Sequence, residues 1–482
     1  MSNFVLTLEL KTEKWQEDIL DKRFNIGRQI YNACLGELYK RYNTMTQRKE
    51  YNKVLEMPKD KDRNKEFNKL NKKYGLTEYS LHKYVKPMQH YFKKNIDSFT
   101  AQKIATRAFR AFEKYMFLES KKVYFKKYGE LNSLEGKSNG TGIKFQDDKL
   151  VWNKLEISAI IKKSDEYAQM ALENKIKYCR ILRRFIRGKY KYYIQLVLEG
   201  MPPIKINKKT GEIKNSIGSG RVGIDIGTQT IAISSEIDVK LLELAPGIDN
   251  IEKEKRILLR KLDRQRRANN PNKYNEDGTI KRENKDRWVK SNKYIKTQNE
   301  LRELQRKQAD IRKQNHEELA NYILGLGNKI YVEDMNYKGL QSKAKETTIN
   351  KKTGKYNKKK RFGKSLANKA PSMFLTILDN KLKFNGEELY KIDTWSVKAS
   401  QYNHIEDKYI KKDLNERWND FGDYKIQRDL YSSFLIMNVK NNLKEIDRGL
   451  CFKTFDNFKT LHDKEIERIK HSNDKTISSM GI

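Results

Sequence analysis

Short runs of alternating hydrophobic and polar residues predict β-strands in the first half of the chain. The first run covers residues 4–10, and later runs cover residues 142–145, 155–160, 179–182 and 190–198. The later runs lie close together in sequence, so they predict a small barrel or sheet. The N-terminal strand is expected to return to that sheet.

Between the first strand and the later ones the pattern becomes helical. Over residues 14–130, apolar positions recur at steps of three and four, which predicts helices with one buried face. Residues 205–220 are rich in Lys, Asn, Gly and Ser and predict a linker. Beyond the linker, strands alternate with helices. The charged stretch 251–320 predicts two helices joined by a loop at 269–278.

The composition indicates the kind of partner. Lys and Arg total 102 residues against 63 Asp and Glu, a net charge of +39, which points to a strongly anionic partner. Hydrophobic residues at 37% and aromatic residues at 11% are too many for a disordered polybasic chain. No apolar run is long enough for a membrane span, the N-terminus does not resemble a secretory signal, and the three cysteines lie far apart. We therefore expect no membrane partner and a cytoplasmic protein, associated with the nucleoid in a prokaryote.

Residues 221–233, RVGIDIGTQTIAI, contain the first candidate active-site residue. Two apolar runs flank residues 227–230, which predicts a hairpin with Asp225 inside its first strand. A carboxylate is costly to bury there without a partner or a metal ion. Gly223 and Gly227 allow a ligand or a neighbouring backbone to approach closely. The alternative is that Asp225 only caps the turn.

Two more carboxylates occur in comparable positions. Glu333 ends the apolar run KIYVE just after a predicted helix. Asp429 lies in the first turn of the helix predicted by QRDLYSSFLI, where the helix dipole stabilises a negative charge. Taken singly, Glu333 also fits a salt bridge and Asp429 an ordinary charge at a helix start. The ordered set of strand Asp, strand-end Glu and helix-start Asp is more specific than any one member.

Three converging carboxylates suit the hydrolysis of a phosphodiester. Cleavage needs an activated water and a stabilised leaving oxygen, and two Mg²⁺ ions about 4 Å apart serve both needs. Because such hard cations bind oxygen ligands, Asp225 would be shared by two Mg²⁺ or Mn²⁺ ions, with Glu333 and Asp429 completing their sites. The six histidines are scattered along the chain and form no competing cluster.

The blocks that carry these acids resemble known motifs. VGIDIGTQT, IYVEDMNYKGL and QRDLYSSFLI are similar to the three RuvC motifs of the TnpB family of transposon-encoded RNA-guided endonucleases, which are related to miniature type V CRISPR effectors. The resemblance covers roughly residues 216–450 by motif and the N-terminal half more loosely. It implies that Asp225, Glu333 and Asp429 are the catalytic acids. It also implies that the protein binds a guide RNA and cuts double-stranded target DNA next to a short flanking motif.

The resemblance further implies a two-lobed α+β architecture. The N-terminal lobe would be a wedge β-barrel interrupted by a helical recognition block, and the C-terminal lobe an RNase H-like RuvC nuclease with a helical insertion. The implied segments are the first wedge strand (1–12), the recognition block (13–135), the wedge barrel (136–215), the nuclease (216–394, insertion 251–320), a target-nucleic-acid-binding insertion (395–425) and the third motif with the C-terminal tail (426–482). The oligomeric state stays open, since one or two copies on a guide are both compatible.

The chain departs from the family at two places. Members usually carry a four-cysteine zinc ribbon between the second and third acids, whereas this interval has no cysteine, so we expect no structural zinc. Residues 395–425 are expected to fold by apolar packing of Trp395, Tyr402, Ile405 and Trp418 instead. The second departure is Tyr-Ser-Ser at 431–433, where the family usually has small and Asn residues, and it concerns substrate positioning.

Several basic residues are candidates for contact with nucleic-acid backbones. They are Arg107, Arg110, Lys114, Arg180, Arg183, Arg184, Arg187, Lys358, Lys359, Lys360, Arg361 and Arg428. For any one of them, a solvated surface position is the alternative. Interleaved aromatic residues, namely Tyr178, Phe185, Tyr190 and Tyr192, suit either base stacking or packing in the barrel.

Three other functions compete with guided cleavage. One is a nuclease-inactive RNA-guided DNA-binding repressor, and another is a guide-free RuvC-type nuclease that recognises DNA structure. The second would leave more than 200 N-terminal residues unexplained. The third rests on GIDIGT at 223–228, which also resembles the phosphate-binding turn of actin, Hsp70 and sugar kinases. An ATPase of that kind needs a second phosphate loop, which residues 240–450 lack, and has no use for a charge of +39.

Overall fold

The computed structural model of the chain describes residues 2–207, 209–342, 345–350, 353–354, 356–357, 362–413, 416–472 and 480–482. It divides into two compact units, residues 1–204 and 205–482. Each unit combines helices with sheets, so the mixed α+β architecture is confirmed. No helix within the described ranges is both long and apolar enough to cross a membrane.

The first unit contains two small antiparallel sheets. Its strands are β1 (Asn3–Glu9), β2 (Ser133–Glu135), β3 (Lys144–Gln146), β4 (Lys149–Trp152), β5 (Leu155–Ser158), β6 (Ile176–Ile186) and β7 (Lys189–Glu199). They pair in the orders β1-β7-β6-β2 and β3-β4-β5, and a bridge between Leu10 and Ala159 connects the two sheets. The N-terminal strand pairs with β7 along its whole length, as the sequence predicts. Closure of these sheets into a barrel stays a prediction.

Helices cover the stretch between β1 and β2. They are α1 (Lys14–Thr46), α2 (Lys49–Glu56), α3 (Lys61–Lys73), α4 (Glu78–Tyr91) and α5 (Ser98–Met116), and the short α6 (Glu166–Leu172) precedes β6. The predicted periodicity is confirmed in α5, where Ile104, Ala108 and Phe112 are buried. The prediction that helix continues to residue 130 is wrong. Side chains of α1 hydrogen-bond the backbone of Val123 and Lys126, in a segment that forms no helix.

The second unit is built on one five-stranded sheet. Its strands are β8 (Arg221–Ile226), β9 (Thr230–Ser235), β10 (Val239–Glu243), β11 (Lys329–Glu333) and β12 (Leu389–Ile392). They lie in the order β10-β9-β8-β11-β12. The first three are antiparallel to one another, whereas β11 is parallel to both β8 and β12. The hairpin predicted at 227–230 joins β8 to β9, and the Gly227 N–H donates to the Thr230 carbonyl at 2.9 Å.

Helices cover both faces of this sheet. The elements are α7 (Asp249–Asn269), α8 (Asn292–Leu326), α9 (Tyr337–Leu340), α10 (Gly363–Lys369), α11 (Pro371–Phe384), α12 (Thr394–Val397), α13 (Arg428–Met437) and α14 (Arg448–His471). On one face, α8 and α11 pack on Ile224 and Val332. On the other, α13 and α14 form an apolar cluster with Ala232 and Tyr331. The two helices predicted for the charged stretch are α7 and α8.

The last part of the interval between the second and third acids, residues 402–427, contains two short hairpins. Their strands are β13 (Tyr402–Asn403), β14 (Lys408–Tyr409), β15 (Trp418–Asp420) and β16 (Lys425–Gln427). Tyr402 and Trp418 join the α13–α14 cluster as expected. The expectation for Trp395 and Ile405 is wrong, since Trp395 is 86% exposed and Ile405 is also exposed. In the single turn of α12 it is Val397 that faces the core, which leaves Trp395 outside.

A buried histidine secures this interval to α13. The ring Nδ1 of His404 lies 2.6 Å from the hydroxyl of Tyr431, and the His404 backbone N–H donates to the same hydroxyl at 3.1 Å. Arg448 donates to the carbonyls of His404 and Ile405, both at 2.7 Å. Hydrogen bonds and aromatic packing thus hold the segment. The finer domain boundaries implied by the resemblance stay predictions.

Candidate active site

Asp225 and Glu333 lie on neighbouring parallel strands, at the same edge of the five-stranded sheet. The register pairs Ile224 of β8 with Val332 of β11, so the residues that follow them lie side by side. Side chains alternate between the faces of a strand. Because Ile224 and Val332 face α8 and α11, the two carboxylates point to the opposite face, the one that carries α13.

Helix α13 brings Asp429 to this edge in its first turn. The helix lies close against β8 because Gly223 has no side chain: a Cβ atom there would overlap the backbone of Ser433 and Met437. Hydroxyls of Ser234 and Ser433, 2.6 Å apart, tie the helix to β9. The close backbone approach predicted at Gly223 is therefore confirmed, and it positions the third carboxylate.

The three carboxylates line one cavity of about 320 Å³. The hairpin turn after β8 forms one side, and Arg417 and Arg428 also line the cavity. All three acids are half-buried. The structure thus brings together the three residues that the sequence proposes as catalytic acids, although they are far apart along the chain.

Burial and mutual repulsion govern the charges in this cavity. The pKa of Asp225 is raised well above its ordinary value by burial, and also by the nearby carboxylates of Glu333 and Asp429. The charge of Arg428 and a hydrogen bond from the Ser432 hydroxyl partly offset this rise of the pKa. Burial also raises the pKa of Glu333. An added positive charge would therefore favour the ionised form of the acids.

Two arginines approach the third acid. The Nη1 atom of Arg417 is 3.8 Å from Oδ2 of Asp429, and Nε of Arg428 is 3.5 Å from Oδ1. Arg428 also donates to the carbonyls of Asp413 and Glu416, at 3.3 and 3.2 Å. The guanidinium of Arg428 is thus held beside Asp429, at the wall of the cavity, rather than out on the surface.

The donor set suits a hard divalent cation. Mg²⁺ and Mn²⁺ prefer carboxylate oxygens, and the lining residues in the described chain include neither His nor Cys. Across the described ranges, however, no three Asp, Glu, His or Cys side chains stand ready as a ligand group. Ligation by Asp225, Glu333 and Asp429 therefore requires their side chains to turn towards a common point.

The side chains of the Tyr-Ser-Ser sequence at 431–433, which differs from the motif it resembles, make packing contacts and hydrogen bonds within the second unit. Tyr431 bonds the buried His404, Ser432 bonds Asp225, and Ser433 bonds Ser234. These three side chains hold α13 against the interval before it, the acid on β8, and β9. The residues at 431–433 that differ from the usual motif therefore hold the elements of the site together.

Tyr337 is a residue that the sequence analysis missed. It is nine-tenths buried at the start of α9, and its hydroxyl is among the buried polar atoms that have no hydrogen-bond partner. Burial and the charges of Asp225 and Glu333 raise its pKa, so the phenol stays neutral beside the acids. Its position four residues after Glu333 was the only available sequence signal. Arg417 was missed because nothing local links it to Asp429.

Three of the basic candidates in the first unit meet at a second cavity, of about 360 Å³. Arg107 and Arg110 of α5 and Arg180 of β6 line it, and Lys114 is exposed further along α5. Arg180 is paired with Glu135 at 2.6 Å, and Arg107 donates to Ser133 at 3.1 Å. Arg110 and Lys114 are the more open of these cations.

Arg183 has a structural position, unlike its neighbours. Its side chain is buried and paired with Asp21, and its guanidinium lies over the rings of Phe24 and Tyr190 at 4.8 and 4.5 Å. This leaves little of Arg183 for a phosphate to reach. Tyr192 is also buried and bonds Asp21, in keeping with the packing alternative for this aromatic residue.

The remaining candidates have different surroundings. Arg184 and Arg187 are exposed, and Arg184 lies over the ring of Tyr193 at 5.4 Å. Tyr178 lies near Lys103, and Phe185 contacts Tyr190. Lys358, Lys359, Lys360 and Arg361 lie outside the described residues.

Comparison with known proteins gives a structural likeness but no match of sequence. No protein-family model matches the chain, and no curated protein matches it. Among solved structures, the chain is similar to a protein chain in the cryo-EM structure of the Cas12f1-sgRNA-target DNA complex, with 10% sequence identity and a TM-score of 0.42. The matched region covers 90% of this chain and 98% of that one.

Proposed function

We propose that the protein is an RNA-guided DNA endonuclease that hydrolyses phosphodiester bonds by two-metal-ion chemistry. The observation that carries the proposal is the convergence of Asp225, Glu333 and Asp429 on one cavity from β8, β11 and α13. The sheet order, three antiparallel strands followed by two parallel ones, agrees with the RNase H-like fold that the RuvC motifs imply.

In this proposal the three acids would hold Mg²⁺ or Mn²⁺. Bound ions of this kind supply an activated water and stabilise the leaving oxygen. Asp225 lies on the central strand and is close enough to both other acids for their charges to raise its pKa, so it is suited to be the shared ligand. Ser432 holds its carboxylate in place. Arg417 and Arg428 place positive charge where phosphate oxygens would enter.

The proposal of a guide RNA and a DNA target rests on the net charge of the chain and on its sequence motifs. A net charge of +39 favours a polyanionic partner, and basic residues line the cavity in the first unit. The likeness of three sequence blocks to the RuvC motifs of TnpB suggests that base pairing with a guide selects the target. The chain itself would then read only a short flanking motif.

The test begins with the RNA that co-purifies with the protein from its native locus. Sequencing this RNA identifies the guide segment, and plasmids that carry a matching or a scrambled target are then incubated with the complex and Mg²⁺. We expect cleavage of the matched plasmid only. Asp225→Ala should abolish cleavage while guide-dependent binding survives. Loss of RNA binding in that variant would contradict the role assigned to Asp225.

A nuclease-inactive RNA-guided binder is the second candidate. It is favoured by the two arginines beside Asp429 and by the lack of a ready ligand group in the described chain. Under the same conditions this candidate predicts DNA that is protected from added nuclease but left uncut. Cleavage that persists after the RNA is removed would instead indicate a guide-free nuclease.

A further inference from the structure

An exposed aromatic segment connects α5 to β2 in the first unit. Residues 117–128 read FLESKKVYFKKY, and we call this segment the aromatic strip. Leu118 is 88% exposed, Tyr128 79%, Tyr124 71% and Phe117 64%. Side chains of this size are normally buried, so a cluster of them within twelve residues marks an interaction surface.

The backbone of the strip is anchored at Val123 and Lys126, and the aromatic side chains on either side of these anchors are exposed. Asn32 donates to the Lys126 carbonyl at 2.9 Å and accepts the Lys126 N–H at 2.8 Å. The hydroxyl of Tyr39 makes two bonds of 3.0 Å with the backbone of Val123. Val123 is buried and Lys126 half-buried, whereas Tyr124 and Tyr128 face solvent.

The charges of the strip identify the partner it fits. Lysines at 121, 122, 126 and 127 are interleaved with the aromatic residues, and Glu119 is the single acid of the strip. Lys122 lies 5.3 Å from the ring of Tyr124. An apolar protein surface would have to strip water from these lysines at a cost. Unpaired nucleotides satisfy both features, since bases stack on aromatic rings and phosphates pair with lysines.

We propose that the aromatic strip binds single-stranded nucleic acid, with unpaired bases stacked on Tyr124 and Tyr128 and phosphates held by the neighbouring lysines. This rests on the proposed function only in its choice of a nucleic-acid partner, and it names where unpaired nucleotides bind. Its test measures binding rather than cleavage. A failure of guided cleavage and a failure of this site are therefore distinguishable.

The test uses the full-length protein freed of co-purified nucleic acid. Fluorescent oligo-U RNA, oligo-dT and duplex DNA, each of about 20 nucleotides or base pairs, are titrated by anisotropy over a series of salt concentrations. The salt dependence of binding arises from counterions released by phosphate contacts, and stacking of bases on aromatic rings releases none. Tyr124→Ala and Tyr128→Ala should therefore each weaken single-strand binding about tenfold at every salt concentration, with the salt slope unchanged. Lys122→Ala should reduce the slope of the logarithm of affinity against the logarithm of salt concentration by about one in magnitude.

Two matched controls come from the same unit. Tyr79 and Tyr91 are 80% and 84% exposed on α4, and Tyr79→Ala and Tyr91→Ala should leave binding unchanged. Stronger binding of RNA than of dT would assign the site to RNA, and the reverse to displaced DNA. The proposal is overturned if Tyr124→Ala and Tyr128→Ala bind like wild type or if the controls weaken binding equally. It is also overturned if duplex binding shows the same loss, or if the strip variants only dissociate a dimer in light scattering.

Discussion

Replacing Gly223 with alanine is expected to separate α13 from β8 and so to displace Asp429 from Asp225. The added methyl group would overlap the backbone of α13 at Ser433 and Met437. Neither neighbour is the flexible end of a side chain, so the helix as a whole must give way. The substitution therefore tests whether a single close backbone approach positions the third acid.

The size of the effect follows from the geometry. A Cβ at Gly223 would lie 2.8 Å from Cα of Met437, whereas carbon atoms prefer about 3.5–4.0 Å, so the helix must move by roughly 1 Å. Overpacking of this kind costs about 1–3 kcal/mol, which for a unit of this size is a fall in melting temperature of roughly 2–10 °C. A displacement of about 1 Å at a reacting centre lowers the rate about 100-fold.

Differential scanning fluorimetry measures the first effect, and single-turnover cleavage of a matched target measures the second. Gly325→Ala is the matched control, because a Cβ there meets no atom within 4 Å and Gly325 lies within a helix. Alanine in a helix stabilises by up to about 1 kcal/mol relative to glycine. A Gly223→Ala variant that melts and cuts like wild type would refute the packing of α13 on β8.

Three further predictions concern individual side chains. Burial and the neighbouring acids raise the pKa of Asp225, so its ionised form destabilises the fold above the unfolded pKa of about 3.9. Asp225→Asn should raise the melting temperature at pH 7, with no gain at about pH 3, and a gain that persists there would contradict this origin. Tyr337→Phe removes a buried hydroxyl that has no partner, so urea denaturation should show stability equal to wild type or higher by about 1 kcal/mol; a loss would reveal a partner. Arg183→Ala should cost about 1–3 kcal/mol in the same assay because it removes a buried side chain that pairs with Asp21 and packs on two aromatic rings, whereas Arg184→Ala should cost less than about 0.5 kcal/mol. A loss for Arg183→Ala as small as that for Arg184→Ala would contradict the burial of Arg183.

The acids of the candidate site could be placed from the sequence because their elements have strong local patterns. Apolar alternation defines the strand around Asp225 and the strand that ends at Glu333. The helical period after Asp429 defines α13. Each pattern depends on neighbours along the chain, so it can be recognised without the fold. That the three acids converge was expected from the order of the motifs along the chain, because no local pattern indicates it.

Other features depend on contacts between distant residues and left no local trace. Arg183 and Arg184 are adjacent basic residues, yet only the first is buried, because the strand turns it towards Asp21. Trp395 looked like a core residue by its size, but the short helix that carries it faces the core with Val397. The position of Tyr337 beside the acids required the fold of α9.

The order of the three acids along the polypeptide delays the moment at which the cavity can form. Asp429 follows Asp225 by about 200 residues, and at a synthesis rate of about 5–20 residues per second β8 waits roughly 10–40 seconds for α13. During that interval the emerging chain, already rich in lysine and arginine, exposes positive charge while the three acids cannot yet share one cavity. Under the proposed function, translation itself would thus separate RNA loading from DNA cleavage.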